Sequence, residues 1–459
     1  MNSEALNEPR GEAHAPLQGK VVDVRDLARK FRDFDALLGI IGMGYVGLPL
    51  MLATTAAGFK VLGFDIDAKR VGELNTGISP LQHISNDHIA RAVRDARFIA
   101  TDEFTRLHEV DAILICVPTP LTKHREPDLT FVETTAQSIA RNLRRGQLII
   151  LESTTWPGST REVVAPILEA TGLVCGKDFF LAFSPEREDP GNPDFDTGRI
   201  PKVVGGHDET ALTLAVALYE SFLSRVVPVS STEVAEAVKL TENIFRAVNI
   251  ALINELKIVF HEMGIDVFEV IEAAKSKPFG YMPFYPGPGL GGHCVPIDPF
   301  YLTWKAREFG ISTRFVELAG EINTNMPQYV VQRTAEVLDA QAARGLNGAR
   351  VLVIGLAYKK NVSDIRESPA LVIIRLLEQR GALVSYHDPF VPVIPPTREH
   401  GALAGRQSLL LDADIVAAFD IVLIVTDHDA IDWTEISSAA RLIVDTRGRL
   451  PHGPRIFRA

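Results

Sequence analysis

Short apolar runs alternate with helix-length segments along the first half of the chain. The runs lie at 36–41, 60–65, 111–117, 148–152 and 179–183. Each run has the length of a buried strand, and the segments between runs are long enough to form helices. Strands that alternate with helices predict a parallel sheet with helices on both faces. We therefore expect a doubly wound α/β domain at residues 34–229.

A long uninterrupted helix is predicted in the middle of the chain. The stretch 244–260 is apolar nearly all round and contains neither Pro nor Gly. Ser230 and Glu233 have the spacing of a capping box, and Gly264 suits the C-terminal end of the helix. A helix that is apolar on every side is expected to be buried on every side. The pattern thus predicts a central helical domain, 230–340, that joins domains or subunits.

The pattern of the first domain begins again after a polar linker at 341–348. Four segments repeat its strands and turns in the same order. They are VLVIGLAY (351–358), GALVSYHD (381–388), FDIVLIVTD (419–427) and RLIVDTRG (441–448). Their spacings are not constant, so the repeated unit is a fold and not a sequence. The fold class is therefore α/β, with two Rossmann-like doubly wound domains, the second at 341–459, joined by a central long-helix domain.

The first 33 residues are interpreted as an N-terminal extension without recognisable chemistry. Its start is polar and contains Pro, and we expect it to be partly disordered. The segment 23–33 has the pattern of a short amphipathic helix.

Composition narrows the classes of partner. The 459 residues suggest two or three domains, and the formal net charge is -11 with no basic stripe, so nucleic acid is not expected as a partner. No apolar run approaches the roughly 20 residues of a membrane span, and the start does not resemble a signal peptide. The three cysteines, Cys116, Cys175 and Cys294, form no CxxC pair, which favours a reducing compartment. We expect a cytoplasmic protein.

A glycine fingerprint follows the first strand. Gly42, Gly44 and Gly47 form G-x-G-x-x-G at the start of a helix, the setting that a dinucleotide-binding turn requires. Asp65 ends the next strand, where a carboxylate binds ribose hydroxyls and repels a 2′-phosphate, so NAD is the expected cofactor. Arg70 is placed to reach the same ribose or to remain a solvated surface residue. The alternative for the glycines is a turn used only for packing.

The second fold unit has a weaker nucleotide signal. Gly355 is followed by LAYKK, so the third glycine is missing. Lys359 and Arg366 are candidates for phosphate contacts at the strand ends, and surface charges are the equal alternative.

The segment GPGLGGHCVPIDPFYLTWK (287–305) is the most informative in the chain. A thiol at Cys294 follows a glycine run that permits close approach of a substrate, and residues 296–298 begin a predicted helix. A thiol near a helix N-terminus has a lowered pKa and a larger thiolate fraction. Asp298, four residues later, is a candidate base or water-orienting group. Cys116 and Cys175 are interpreted as small core residues.

Polar residues on the long helix and at two strand ends complete the candidate site. Lys239, Asn243 and Arg246 share one helix face, and a buried Lys needs partners or a purpose. The Lys and Asn side chains are suited to stabilise an oxyanion, and an interdomain salt bridge is the alternative role. The segments 153–155 and 184–188 follow strands at the sheet edge where α/β proteins bind ligands, although they also suit helix caps.

Several of these motifs resemble the UDP-glucose/GDP-mannose dehydrogenase family. They are GMGYVGLPL, STTWPGST, FSPEREDPG, AEAVKLTENIFRAVNIALINEL, GPGLGGHCVPIDPFYL and GLAYKKNVSDIRESPAL. The resemblance runs from about residue 38 to 449 and implies an NAD domain, a central domain that forms a homodimer and a UDP-binding domain. It also implies a UDP-sugar substrate whose C6 hydroxyl is oxidised to a carboxylate. A thiohemiacetal and then a thioester on Cys294 are the implied intermediates.

Motifs and resemblance together assign the site residues. The catalytic set is Cys294, Lys239, Asn243, Asp298, Thr154 and Glu186. The NAD-binding set is Gly42, Gly44, Tyr45, Val46, Gly47, Asp65, Arg70, Thr119, Thr154 and Arg366. The substrate-binding set is Arg187, Glu188, Lys239, Asn243, Arg246, Tyr285, Gly289, Gly291 and Lys359. No metal site is predicted.

The segments GGHC (291–294) and PIDPFYLTWKAREFG (296–310) look most like those of the bacterial UDP-N-acetylglucosamine 6-dehydrogenases of surface-polysaccharide pathways. UDP-N-acetylmannosamine and UDP-glucose are the alternative substrates. Many family members place an Arg about sixteen residues before the Cys, and this chain has KSKPFGYMPFYPG there. The intersubunit contact of that Arg is therefore in doubt, with Lys277, Tyr281 or Phe284 as candidate replacements.

Two other functional classes are weighed against this one. A single-oxidation dehydrogenase of the 6-phosphogluconate type does not explain Cys294 or the second fold unit. A catalytically silent NAD-binding protein needs only the glycine fingerprint and leaves the polar residues around Cys294 without a purpose.

Overall fold

The computed structural model describes residues 23–81, 84–122, 126–187, 199–292, 295–397 and 399–459. Its strands are β1 (Leu37–Ile41), β2 (Lys60–Phe64), β3 (Phe98–Thr101), β4 (Ala112–Ile115), β5 (Leu148–Leu151), β6 (Phe180–Phe183), β7 (Lys202–Gly206), β8 (Val226–Val229), β9 (Arg350–Ile354), β10 (Leu383–His387), β11 (Ile421–Ile424), β12 (Ile443–Asp445) and β13 (Ile456–Arg458). Its helices are α1 (Val24–Arg32), α2 (Gly47–Ala57), α3 (Ala68–Asn75), α4 (Asn86–Arg94), α5 (Thr130–Asn142), α6 (Ala165–Glu169), α7 (Glu209–Glu220), α8 (Thr232–Glu262), α9 (Val267–Lys275), α10 (Asp298–Glu308), α11 (Arg314–Ala342), α12 (Pro369–Gln379), α13 (Ala413–Ala417) and α14 (Trp433–Ala439).

The first sheet has eight strands in the order β3-β2-β1-β4-β5-β6-β7-β8. Neighbouring strands are parallel except β6 and β7, which are antiparallel. Ile41 pairs with both Phe64 and Ile115, so the carboxyl ends of β1, β2 and β4 meet at one edge. Residues that follow these strands are therefore brought together, as in other doubly wound sheets.

Helix α1 belongs to the core of this first sheet. Leu27, Ala28 and Phe31 are buried in one hydrophobic cluster with residues of β1, β2 and α7. Asp23 caps the helix by accepting from the backbone N–H of Arg25. The predicted short amphipathic helix is therefore present, whereas the expected disorder of the residues before it lies outside the described part of the chain.

The second sheet repeats the strand order of the first. Its order is β10-β9-β11-β12-β13, and all neighbours are parallel. The strand order β10-β9-β11-β12 corresponds to β2-β1-β4-β5 of the first sheet. The predicted fold class, two Rossmann-like α/β units joined by long helices, is confirmed.

The long helices α8 and α11 pack against each other between the two sheets. Helix α8 begins one residue later than predicted, because Ser231 and not Ser230 is its cap: its hydroxyl accepts from the N–H of Val234 at 3.3 Å. Gly264, with φ at +71°, follows the end of the helix as expected.

The expectation that α8 is buried on every side is wrong for the single chain. Phe245, Leu252 and Val259 are 45–50% exposed. Among the described residues, no helix is both long and apolar enough to cross a membrane.

Candidate active site

The glycine fingerprint forms the turn between β1 and α2. Gly42 has φ at +95°, and a Cβ there would lie 2.6 Å from the carbonyl O of Cys116 at the end of β4. A Cβ on Gly47 would lie 2.0 Å from the carbonyl O of Gly42, so this glycine permits close helix packing. A Cβ on Gly44 would meet nothing within 4 Å. The middle glycine therefore faces open space, as a backbone that approaches a pyrophosphate must.

Asp65 follows β2 beside this turn and is 5% exposed. Its Oδ2 accepts from the N–H of Met43 at 3.0 Å and forms an ion pair with Arg70 Nη1, also at 3.0 Å. The carboxylate is thus held at the turn, and Arg70 is bound to it instead of extending freely into solvent.

The loops after β4 and β5 lie against helix α10. The Tyr301 hydroxyl of α10 donates to the carbonyl O of Thr119 at 2.9 Å. The Ser153 hydroxyl donates to the carbonyl O of Val117 at 2.7 Å, which joins the two loops. Thr154, the next residue, is half-buried at the same edge. The sheet edge and the start of α10 are therefore parts of one site.

Helix α8 presents Lys239 and Asn243 to the start of α10. Both residues are 6% exposed, and the Asn243 Nδ2 donates to Asp298 Oδ2 at 2.5 Å. Asp298 is the first residue of α10 and is 2% exposed. Burial raises its pKa to about 7, against the opposing charge of Lys239. A carboxyl with that pKa can accept or release a proton near neutral pH.

Cys294 lies outside the described residues, but the chain on both sides of it is placed. Gly292, two residues before it, donates its N–H to the carbonyl O of Arg366 at 3.0 Å. A Cβ on Gly291 would lie 2.6 Å from the Cβ of Tyr358. The end of the glycine run thus packs on the segment after β9, and this close approach explains why positions 291 and 292 are both glycine.

Arg366 connects that segment to the glycine fingerprint. Its guanidinium lies 4.3 Å from the ring centroid of Tyr45, and it forms a forked bond with the Asp364 carboxylate. Lys359 belongs to the same segment, beside Tyr358. One stretch of the second α/β unit therefore contacts Gly292 with its backbone and the β1–α2 turn with a side chain.

Glu186 and Arg187 follow β6 and are bound within the protein. Glu186 Oε2 lies 3.5 Å from Lys202 Nζ, which forms a closer pair with Glu152 at 2.5 Å. Burial opposes the charge of Lys202, but Glu152 and Glu186 outweigh it and raise the lysine pKa above its ordinary value. Arg187 forms an ion pair with Glu242 of α8 at 2.5 Å. The strand end is thereby tied to the long helix.

Three residues that were predicted to contact the substrate do not lie beside the buried group of Lys239, Asn243 and Asp298. Arg246 is exposed on α8, although it shares a nominal face with Lys239. Tyr285 is 44% exposed and donates its hydroxyl to Glu272 at 2.5 Å. Gly289 lies against Pro369 and α11 instead. Glu188 lies outside the described residues.

Comparisons with known proteins agree with this arrangement. Models of three domains of the UDP-glucose/GDP-mannose dehydrogenase family match the chain: the NAD binding domain over 36–223, the central domain over 233–325 and the UDP binding domain over 352–452. The chain belongs to this family.

Relatives of the dehydrogenase include the UDP-N-acetyl-D-glucosamine 6-dehydrogenases of Pseudomonas aeruginosa and Salmonella typhi. The first is 37% identical over 80% of this chain and 86% of its own length, and the second is 34% identical over 83% and 89%. Among solved structures, a UDP-D-ManNAc dehydrogenase from Pyrococcus horikoshii has a TM-score of 0.82 at 32% identity, and the match covers 92% of this chain and 98% of that one.

The dehydrogenase is an NAD-dependent oxidoreductase that acts on nucleotide sugars. Its glycine turn fits the cofactor: Gly44 opens onto free space while the Asp65 carboxylate lies beside the same turn. The two cysteines that the structure describes, Cys116 and Cys175, are poorly suited to act as nucleophiles. Burial raises the thiol pKa of both Cys116 and Cys175, the latter to about 12.

Sequence reasoning missed Glu236, which anchors the loop that carries Thr154. Its buried carboxylate accepts from the N–H of Gly158 at 2.5 Å, and from both the N–H and the hydroxyl of Thr160. Glu236 lies one helical turn before Lys239, so it ties this loop to the part of α8 that carries Lys239 and Asn243. An acidic residue three positions before a lysine is common on helices, and only the structure identifies its partners.

Proposed function

We propose that the dehydrogenase oxidises the C6 hydroxyl of UDP-N-acetylglucosamine to a carboxylate in two successive oxidations, for surface-polysaccharide biosynthesis. The observation that carries the proposal is the buried group formed by Lys239, Asn243 and Asp298. Asp298 is four residues after Cys294 in the sequence. The names of the relatives from Pseudomonas aeruginosa and Salmonella typhi support the choice of sugar. UDP-N-acetylmannosamine and UDP-glucose are the alternative substrates for the same chemistry.

In the first oxidation, C6 loses a hydride and its hydroxyl loses a proton, which gives an aldehyde. Lys239 and the Asn243 amide are the donors that steady the C6 oxygen as negative charge develops. Asp298 is bound to Asn243 and has a pKa of about 7, so it suits the proton acceptor near neutral pH. NAD, when bound, takes up one hydride at each oxidation, and two molecules account for the four electrons.

In the second stage, the Cys294 sulfur bonds to the aldehyde carbon, and the aldehyde oxygen gains a proton to form a thiohemiacetal. Loss of a second hydride from that carbon, and of the hydroxyl proton, leaves a thioester. Water then adds to the thioester carbonyl and the C–S bond breaks, which releases the uronate and restores the thiol. Thr154 and Glu186 are the candidates for holding this water, since both follow strands at the same sheet edge.

Cofactor and substrate are assigned to different groups of residues around the glycine run 287–292. We assign NAD to the β1–α2 turn with Asp65 and Arg70, with Thr119, Tyr45 and Arg366 completing the site. The UDP group is assigned to the loop 285–291 and to Lys359 of the second α/β unit. Arg447 is a further candidate, because its Nη1 would lie 2.7 Å from a Cβ on Gly287.

The test is the number of NADH molecules formed per sugar consumed. We expect two NADH per UDP-N-acetylglucosamine, with no aldehyde released, and lower kcat/KM for UDP-N-acetylmannosamine and UDP-glucose. One NADH per sugar would return the enzyme to the single-oxidation class. Two NADH with a higher kcat/KM for another UDP-sugar would retain the chemistry and correct the substrate.

We also propose that the dehydrogenase is a homodimer through α8. Phe245, Leu252 and Val259 are seven residues apart in sequence and therefore share one face of the helix. Phe284 extends this face, because its ring lies 5.7 Å from that of Phe245. Phe284 is in the segment that replaces the family's intersubunit Arg. An apolar stripe of this length on a helix is typical of a subunit interface.

Leu252→Glu is expected to convert the dimer into monomers at micromolar concentration, because a buried carboxylate without a partner costs several kcal/mol. Light scattering coupled to size exclusion measures the mass. Leu410→Glu is the matched control, since Leu410 is 88% exposed and lies in the second α/β unit. A wild-type monomer, or an unchanged mass for Leu252→Glu, would contradict the interface.

A further inference from the structure

We infer that Lys257 and Asn254 are positioning residues that hold the nucleotide-sugar loop 285–291 in its binding position through the backbone of Gly287. The inference rests on the proposed function, in which this loop contacts the UDP-sugar. Neither residue belongs to the catalytic group described above, and both lie three or more turns further along α8 than Asn243.

Both backbone groups of Gly287 are bound from α8. The N–H of Gly287 donates to Asn254 Oδ1 at 3.0 Å, and its carbonyl O accepts from Lys257 Nζ at 3.2 Å. Asn254 is fully buried and Lys257 is 3% exposed. Buried backbone groups that are paired in this way have a defined position, because leaving either unpaired costs free energy.

The anchor continues into helix α11. Asn254 Nδ2 donates to Asn323 Oδ1 at 3.0 Å, and Asn323 Nδ2 donates to the carbonyl O of Ala247 at 3.0 Å. The chain of bonds therefore runs from the loop to α8, to α11 and back to α8. Each amide uses both its oxygen and its nitrogen, so the amide orientations are mutually determined.

Burial of the Lys257 ammonium lowers the stability of the fold, which argues that this residue has a functional role. Among the residues that the structure describes, its ammonium has the Gly287 carbonyl as its hydrogen-bond acceptor and no carboxylate within ion-pair distance. Burial, reinforced by Arg447, lowers its pKa to about 7. A buried amine in such surroundings destabilises the fold relative to an apolar side chain of similar volume.

A loop held in advance binds its ligand with less loss of conformational entropy. We therefore expect the buried ammonium of Lys257 to increase the affinity for the nucleotide sugar and not the stability of the fold. A Cβ added to Gly287 would lie 2.7 Å from Arg447 Nη1, so a side chain at this position would displace Arg447.

The test is Lys257→Met in the full-length enzyme. We expect KM for UDP-N-acetylglucosamine to rise about tenfold, equivalent to about 1.4 kcal/mol, with kcat and KM for NAD within twofold of wild type. The thermal midpoint is expected to be unchanged or higher, because a buried ammonium without a carboxylate partner is removed. A purely structural role predicts the reverse: a lower midpoint and an unchanged KM for the sugar.

Asn254→Leu provides a second variant, and the pair provides a coupling test. Both residues act on Gly287, so the double variant is expected to raise KM by less than the product of the single effects. Thr324→Ala, next to Asn323 on α11, is the control, because the exposed Thr324 hydroxyl donates to the carbonyl O of Gly320 on its own helix. Unchanged KM for the sugar in both single variants overturns the inference, whereas wild type that turns over no UDP-sugar overturns the proposed function.

Discussion

Cys294→Ala is expected to lower the steady-state rate of uronate formation at least a thousandfold. Without the thiol, the aldehyde from the first oxidation has no covalent attachment, and no thioester forms for water to hydrolyse. The first oxidation does not require the sulfur, so at most one NADH per sugar consumed is expected, with the aldehyde as the product. Stopped-flow absorbance at the NADH maximum, with mass analysis of the sugar product, measures both quantities.

Two other cysteines serve as controls for this substitution. Cys116, directly after β4, is 8% exposed, and Cys175 is half-buried. Burial raises the thiol pKa of each. Their alanine variants are expected to retain two NADH per sugar. If Cys294→Ala keeps that stoichiometry at more than a tenth of the wild-type rate, the thioester mechanism is wrong.

Asp298→Asn is expected to lower kcat by about a hundred- to ten-thousandfold, the usual range for loss of a general base. An asparagine oxygen can still accept from Asn243, so the substitution removes the ionisable group and leaves the hydrogen bond in place. The reactive form of Asp298 is its carboxylate, and its pKa is about 7. Wild-type kcat/KM is therefore expected to rise with pH through about 7, and the variant to lose that limb.

Stability distinguishes a catalytic effect at Asp298 from unfolding. The pKa of this carboxyl is raised from 3.8 to about 7 in the folded state, so its contribution to stability is present at low pH and is lost as pH rises through about 7. At pH 8 the Asn variant is expected to be at least as stable as wild type. Glu308→Gln, at the exposed end of α10, is the control. An unchanged pH profile in Asp298→Asn would assign the base to another residue.

The site combines residues from all parts of the chain, which explains why long helices join two α/β units. The guanidinium of Arg366, in the second unit, lies over the ring of Tyr45 in the first, while the Arg366 carbonyl O accepts from the N–H of Gly292. Any relative movement of the two sheets would change both contacts together. Tight packing of the glycine run on Tyr358 leaves little room for such movement without rearrangement.

Sequence reasoning succeeded where the relevant interactions are local. The glycine fingerprint, the strand that brings Asp65 to the fingerprint and the end of α8 near Gly264 each depend on a few consecutive residues. It was less accurate at the start of α8, where Ser230 and Ser231 are equally suitable caps by composition. The choice of Ser231 depends on where the chain leaves β8, which the sequence pattern does not specify.

Helical periodicity also overestimated how many polar residues α8 directs into the site. It placed Arg246 with Lys239 and Asn243, but only the latter two are buried. The seven-residue offset of Arg246 from Lys239 does place both on one side of an isolated helix. Whether a residue on that side is covered depends on how far the neighbouring helix α10 extends, which is a tertiary property.

The sequence by itself determined the fold class and the cofactor, because strand periodicity and glycine turns are local properties; the chemical type of the site stays a prediction from its side chains. Only the tertiary structure decided which distant residues meet: Glu236 with the Thr154 loop, Lys257 with Gly287, and Arg366 with Tyr45. These pairs are separated by tens to hundreds of residues, and no periodicity links them. Their contacts follow from how the two sheets and the long helices pack, and packing depends on the whole chain at once.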